Sequence, residues 1–261
     1  MDIPEVEIRV PTRGNRRLES LLAAANADRR LHAWWYMQQV NADRRDMSDH
    51  SWVHIQIVVN IGLRLFRLLA RAGVEPAMVS EHGMKPRDAE VVIAAACLVH
   101  DTGMSIHRSD HEQYSLFLGA DRLPVLLEGI YEDPELTVVV SEALHAVIGH
   151  RRRGDPITVE AGIVRVADAL DMASGRSRIP FETRRPNIHS VSAAAIDGVT
   201  IEPGEEKAVR IEIEMNNSSG LFQIDELLAT KLRGSGIEEP VEVVAQLEAE
   251  HEKRLVPVFR I

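Results

Sequence analysis

The stretch VVIAAACLVHDTG, residues 91–103, decides the fold of this protein. Its nine consecutive apolar residues, 91–99, predict a helix that is apolar on nearly every side and therefore central and buried. Pro86 suits the first turn of that helix. His100 and Asp101 follow at its end. A charged carboxylate there is costly unless a partner meets it, and a metal ion is the simplest partner.

Apolar residues recur at helical spacing on both sides of this stretch, up to about residue 185. They predict further helical segments at about 16–44 (one or two helices), 49–71, 110–120, 134–149 and 159–173. Local signals place the N-caps of the last four. Ser48 or Asp49 would cap the helix at 49–71, and Ser109 with Glu112, in capping-box spacing, the helix at 110–120. Asp133, followed by Pro134, would cap the helix at 134–149, and Thr158 the helix at 159–173.

The pattern changes after residue 185, where β-branched alternation replaces helical spacing. Strands are predicted at 189–196, 199–203, 208–215, 241–248 and 254–261, with a short helix at about 224–233. We expect these strands to pair antiparallel. The fold class is therefore mainly α, with a helical domain at 1–185 followed by a small α+β domain at 186–261. The second domain would be accessory, for dimerisation, regulation or covering a site.

Composition excludes several classes of function. A formal net charge of -10 argues against non-specific nucleic-acid binding, which needs clustered Lys and Arg. The single cysteine, Cys97, can form neither an internal disulfide nor a cysteine-based zinc site. The N-terminus lacks the apolar segment of a signal peptide, and the longest apolar run is shorter than the roughly 18 residues of a membrane span. We therefore expect a cytoplasmic protein without membrane contact.

Histidine is concentrated in one part of the chain, because eight of the eleven histidines lie between residues 50 and 150. His50 and His54 are four apart and share one face of a helix. Asp168 lies in an otherwise apolar stretch and also needs a partner, whereas Asp171 is interpreted as solvated. A lone histidine is more often structural than a ligand, but a set of histidines with carboxylates is typical of a metal centre.

At this point the residues resemble the HD superfamily of metal-dependent phosphohydrolases. His54, the His100-Asp101 pair and Asp168 match its H…HD…D pattern in order, within HIQIV, ACLVHDTG and IVRVADALD. The resemblance covers roughly residues 48–180. It implies an HD-type helical bundle that binds divalent metal.

The chain also resembles the members of that family with extra histidines and two metals. There the segment HEQYSLFL implies His111 as a ligand, and GHRRRGDPITVEAGIVRVAD implies His150. His145 competes with His150, because the two are about 140° apart on a regular helix and cannot both face one site unless the helix ends first. The branch that degrades cyclic dinucleotides usually has a Gly-Tyr-Pro signature, and here that place reads Gly-Asp-Pro, residues 154–156.

The resemblance implies a phosphohydrolase whose substrate is a phosphomonoester or phosphodiester, by family likeness a nucleotide. A His/Asp cage suits Mn, Fe, Ni, Co or Zn without selecting one. With two ions, Asp101 would bridge them, and metal-activated water would attack phosphorus. The expected outer residues are His50 or His107 as proton donor or phosphate contact, and Arg151, Arg176 and Arg178 as phosphate clamps, the last two preferred.

Two other functions remain open from the sequence. The same ligands can hold two irons in an oxygenase, and a visible charge-transfer band would favour that reading. The second alternative is a non-catalytic sensor of metal or nucleotide, in which the C-terminal domain transmits the signal. The apolar strands of that domain also allow a homodimer.

Overall fold

The computed structural model describes residue 3, residues 5–173 and residues 188–247. The strand predicted at 254–261 lies outside these residues, as do Arg176 and Arg178. Within them the fold is a helical body followed by a small three-stranded sheet with helical segments, as the sequence predicts.

The helical body is built around α5, the helix of the deciding stretch. Every residue of α5 from Asp88 to Val99 is buried, and α1, α3, α7 and α8 pack around it. Burial of each such Val, Leu or Ile side chain contributes about 1.5–3 kcal/mol. The helices are α1 (Arg16–Ala27), α2 (Arg29–Asp43), α3 (Trp52–Arg71), α4 (Ala77–Ser80), α5 (Pro86–Val99), α6 (His111–Leu126), α7 (Glu135–Gly149) and α8 (Val159–Leu170), with a 3-10 turn at Thr102–Ser105.

The predicted caps are partly wrong. The N-cap of α3 is Ser51, whose side chain accepts from the Val53 amide, rather than Ser48 or Asp49. The capping box of Ser109 and Glu112 does not form, because α6 begins after Asp110, which is left-handed at φ 59 and has no capping side chain.

The predicted N-cap is wrong for α7 and confirmed for α8. The N-cap of α7 is Pro134, one residue after the predicted Asp133. Thr158 caps α8 through the Ala161 amide, as predicted.

Helix α3 is long and apolar enough to cross a membrane by length and composition alone, although the sequence predicts no membrane span. Its buried residues include His54, Ile55 and Leu63, and half of the apolar window is buried inside the protein. A core helix passes the same test, and the packing of α3 against α5 and α8 identifies it as one.

The C-terminal part contains α9 (Ile188–Ala194), β1 (Ile196–Pro203), β2 (Val209–Met215), a 3-10 turn (Ser218–Gly220), a π-helical segment (Gln223–Ala229), α10 (Thr230–Leu232) and β3 (Val241–Leu247). β1 pairs antiparallel with β2, as predicted.

Two predictions for this part are wrong. β2 and β3 are parallel, because the long connection between them returns the chain to the same end of the sheet. The predicted strand at 189–196 is mostly the helix α9, since its alanines favour helix once the alternating side chains lack a sheet face to bury.

Candidate metal centre

Six of the seven predicted metal ligands converge at one end of the helical body. They come from helix ends and helix interiors that pack around α5. His54 lies in α3, His100 and Asp101 follow α5, His111 begins α6, His150 caps the end of α7, and Asp168 lies in α8. All are buried except Asp168, whose side chain is 15% exposed.

The first group of possible ligands is His54, His100 and Asp168. The Nε2 atoms of the two histidines are 3.2 Å apart. Asp168 Oδ1 lies 3.4 Å from His54 Nε2 and 3.7 Å from His100 Nε2. One ion could therefore contact all three side chains after small adjustments.

The second group is Asp101, His111 and His150. Asp101 Oδ1 lies 3.0 Å from His111 Nε2 and 3.9 Å from His150 Nε2. The other oxygen of Asp101, Oδ2, lies 3.4 Å from His54 Nε2 and 3.7 Å from His100 Nε2. Asp101 thus faces both groups, one carboxylate oxygen to each.

The outer ring nitrogens show why the inner ones are available to a cation. Nδ1 of His54 lies 2.6 Å from Asp171 Oδ2, Nδ1 of His100 lies 2.8 Å from the Cys97 carbonyl, and Nδ1 of His150 lies 2.6 Å from the Val147 carbonyl. Each of these oxygens only accepts, so each Nδ1 carries the proton and each Nε2 lone pair faces inward. Lone pairs that face one another cannot bond to each other, and a divalent cation is the partner that fits.

Neighbouring groups lower the pKa of both carboxylates of the centre. Burial by itself would raise the pKa of Asp101, but His100, His111 and His54 outweigh it and hold that pKa well below its ordinary value. Burial opposes ionisation of Asp168 as well, and Lys231, His100 and His54 hold its pKa low. Burial, together with the charge of Lys231, lowers the pKa of His150. Both acids are therefore charged and His150 is neutral, the forms that bind metal.

The centre opens into a cavity of about 480 Å³, within the usual size range of small-molecule sites. Asp101, His111, His150 and Asp168 form part of its lining. Its cationic side chains are Arg108, Arg151, Arg152 and Lys231, and the C-terminal part contributes Ala193, Gln223, Glu226, Leu227 and Lys231.

Some of the remaining predicted residues lie at the centre or its cavity, and others do not. His145 lies outside both groups, and its Nε2 accepts from the Ile157 amide at 3.1 Å. Helix α7 ends at Gly149, but His150 keeps a helical backbone conformation and its amide still donates to the Ala146 carbonyl. The two histidines therefore point in different directions, and His150 is the one that faces the centre. Of the predicted outer residues, His50 and Arg151 line the cavity. His107 does not, because its exposed ring points to solvent and pairs with Arg45.

Three residues of this site are not predicted from the sequence. Asp171 is buried against His54, not solvated, and its position three residues after Asp168, at the end of α8, was the available signal. Arg108 Nη1 lies 2.6 Å from His111 Nδ1. Lys231 forms an ion pair with Asp168 across 63 positions of sequence, and no local pattern indicates such a contact.

The fold and this centre define a helical protein with a His/Asp site suited to divalent metal. A family model described as "HD domain" matches residues 48–173. An uncharacterized protein of Methanocaldococcus jannaschii, MJ1020, is 37% identical over 216 residues, which are 83% of this chain and 82% of the relative. The chain belongs to the HD-domain family. HD domains are typical of metal-dependent hydrolases. Since 216 residues exceed the 185 of the predicted helical domain, the match extends into the C-terminal part.

Proposed function

We propose that the protein is a two-metal phosphohydrolase that cleaves a phosphomonoester or phosphodiester of a small nucleotide. The observation that carries the proposal is the shared position of Asp101, whose two oxygens face two groups of inward-directed histidine nitrogens. In each group, three side chains offer ligand atoms that lie within 4.8 Å of one another. Both groups use only nitrogen and carboxylate oxygen, which suit Mn, Fe, Ni, Co or Zn.

Different residues of the chain would hold the two ions. His54, His100 and Asp168 would hold one ion and His111 and His150 a second, with Asp101 common to both. When bound, such ions supply Lewis acidity and lower the pKa of water toward neutrality. Asp171 keeps His54 in the tautomer whose Nε2 faces the centre.

The surroundings of the centre favour a phosphorylated substrate of moderate size. A cavity of about 480 Å³ accommodates a nucleotide, and Arg151 and Arg108 place cationic groups on its wall. The ring of His50 lies 5.6 Å from that of His54 and also lines the cavity. We assign His50 the role of outer proton donor or phosphate contact. The cytoplasmic location and the homodimer stay predictions of the sequence.

The test combines metal content with hydrolysis. Protein purified without chelator is analysed for metal by elemental analysis and assayed with bis(p-nitrophenyl) phosphate, wild type against Asp101→Ala. We expect about two equivalents of metal in the wild type and no detectable hydrolysis by the variant. Asp121→Ala is the matched control, because Asp121 is an exposed carboxylate of α6 that pairs only with Arg30 in the described part of the chain.

Each alternative outcome has a distinct meaning. Metal without hydrolysis of any phosphate ester would move the assignment to a metal or nucleotide sensor. Bound iron with a visible charge-transfer band would indicate an oxygenase. Absence of metal even after reloading would remove the basis of the proposal.

A further inference from the structure

Lys231 is the one lysine among the cavity-lining residues, and it comes from the C-terminal part of the chain. It lies in α10, directly after the π-helical segment Gln223–Ala229. Its side chain is only 13% exposed, and its ammonium forms an ion pair with Oδ2 of Asp168. A lysine from outside the HD-matched residues thus reaches a predicted metal ligand.

The backbone of Lys231 is fixed by Arg165, which precedes Asp168 by one turn of α8. Arg165 is 3% exposed. Its Nε donates to the Lys231 carbonyl at 2.8 Å, and its Nη2 donates to the Thr230 carbonyl at 3.2 Å. One face of α8 therefore holds both ends of the lysine, the main chain through Arg165 and the ammonium through Asp168.

Arg165 also fixes the loop that carries Arg151. Its Nη1 donates to the Arg151 carbonyl at 2.9 Å and to the Gly154 carbonyl at 2.7 Å. The backbones of Lys231 and Arg151 are consequently held by the same buried guanidinium, on the wall of the same cavity. Two cationic side chains placed in this way can bind an anion inside the cavity.

The C-terminal part is packed tightly enough to hold this position. A Cβ on Gly162 of α8 would lie 1.9 Å from the Ser235 carbonyl oxygen, so only glycine permits this approach. Ser235 and Ile237 are both fully buried. The segment that bears Lys231 is therefore a wall of the cavity rather than a separate body.

The two oxygens of Asp168 face different partners. Oδ1 faces His54 and His100, whereas Oδ2 faces Lys231. A cation held by the first group would reduce the negative charge that Asp168 presents to the ammonium. The flexible four-carbon stem of a lysine then allows the ammonium to reach another anion in the cavity.

We propose that Lys231 is a substrate-binding residue whose ammonium contacts a non-bridging oxygen of the substrate's phosphoryl group. This rests on the proposed function, since it places a phosphoryl group at the metal centre. It also assigns a purpose to the C-terminal part, which completes the wall of the active site.

The experiment measures binding of inorganic phosphate to metal-loaded protein by isothermal titration calorimetry, with metal content determined on the same samples. We expect Lys231→Gln to keep the metal and to weaken phosphate binding about 10- to 100-fold, the value of one charged hydrogen bond. Lys231→Arg should recover part of the affinity. Lys207→Gln should bind as the wild type does, because Lys207 is an exposed lysine of the same part of the chain.

Three results would overturn the proposal. One is unchanged phosphate affinity in a folded, metal-loaded Lys231→Gln variant. Another is loss of metal from both Lys231 variants, which would make Lys231 a positioning residue for Asp168. The third is absence of phosphate binding by the metal-loaded wild type. A wild type that binds phosphate through Lys231 but hydrolyses no ester would reject the proposed function and leave this contact in place.

Discussion

The two groups of candidate metal ligands differ in how they are held. His54 and His100 are fully buried in the helical core, and neither lines the cavity. All three members of the second group, Asp101, His111 and His150, line it. The outer partners differ as well. Nδ1 of His54 lies 2.6 Å from the carboxylate of Asp171, whereas Nδ1 of His111 lies 2.6 Å from the guanidinium of Arg108 and 3.3 Å from the carboxylate of Glu112.

This difference indicates a division of roles. An outer carboxylate raises the basicity of a histidine ligand, whereas a neighbouring cation lowers it. We therefore expect the first group to bind its ion more tightly and the second group to have more contact with substrate, since Asp168 is the one member of the first group that lines the cavity. The predictions that follow test this difference, from the largest expected effect to the smallest.

Exchanging one histidine of each group should separate the two sites. His54→Gln removes an Nε2 that lies near both Asp168 and Asp101, so we expect loss of the tightly held ion and of activity. His111→Gln should keep about one equivalent of metal after dialysis against dilute chelator, because the first group stays complete. Elemental analysis of both variants, purified in parallel, measures this. Equal metal loss in the two would show that the groups bind as one unit.

Asp171→Asn should weaken metal binding about 10- to 100-fold, the usual effect of removing an outer carboxylate from a histidine ligand. The amide retains the size of the side chain but loses the charge that supports His54. Titration against a competing chelator gives the affinity. Asp155→Asn serves as control, because Asp155 is an exposed acid. An unchanged first affinity in Asp171→Asn would contradict the assigned role.

Gly103→Ala should disturb the second group selectively. A Cβ at Gly103 would lie 2.0 Å from the His111 carbonyl oxygen and 2.6 Å from the Ser115 amide nitrogen, so the start of α6 must move. We expect the free energy of unfolding to fall by about 1–3 kcal/mol, with weaker binding of the second ion only. Urea unfolding and metal titration measure the two effects.

Gly149→Ala is the matched control for that variant. A Cβ on Gly149 would meet its nearest atom at 3.5 Å, an ordinary contact, although this glycine adjoins His150. Equal destabilisation by the two alanines would mean that the close approach at Gly103 is not what places His111.

The pH dependence of the metal-free protein should report on His150. Its folded pKa is lowered from an ordinary value of 6.5, so below that value the unfolded chain takes up a proton that the folded chain refuses. The contribution of His150 to the free energy of unfolding should therefore be fully present above pH 6.5. It should fall as the pH drops toward the folded pKa, by at most about 1.4 kcal/mol per pH unit. Urea unfolding with chelator present measures the slope, and His150→Gln should reduce it.

The carboxylates act in a different pH window. The pKa of both Asp101 and Asp168 is lowered from 3.8, so their contribution is present above that value and is lost only at more acidic pH. A slope between pH 5 and pH 6.5 that persists in His150→Gln would exclude His150 as its source.

The helical body was predictable because its signals are local. Nine apolar residues in succession can only be a core element, and the helical spacing around them gave the other main helices. The short helix Ala77–Ser80 and several caps were missed, since one turn of helix carries almost no periodicity. Six candidate ligands followed from the resemblance, and the packing of α7 against α5 and α8 places His150 rather than His145 among them.

The C-terminal part was predicted less well, for a physical reason. Strand alternation shows which faces are buried but does not set the direction of pairing, so the parallel pairing of β2 and β3 was not expected. The run at 189–196 alternates like a strand but contains three alanines, and packing decided that α9 forms there.

The sequence alone determined that the protein has a buried central helix ending in His100-Asp101 and a set of residues fit to bind metal. Those properties depend on residue type and on spacing within single helices. Only the tertiary structure decided that Asp101 faces both groups, that Asp171 orients His54 and that Lys231 reaches Asp168. These contacts join helices and strands that are distant in sequence, and their geometry is fixed by packing around α5 and α8.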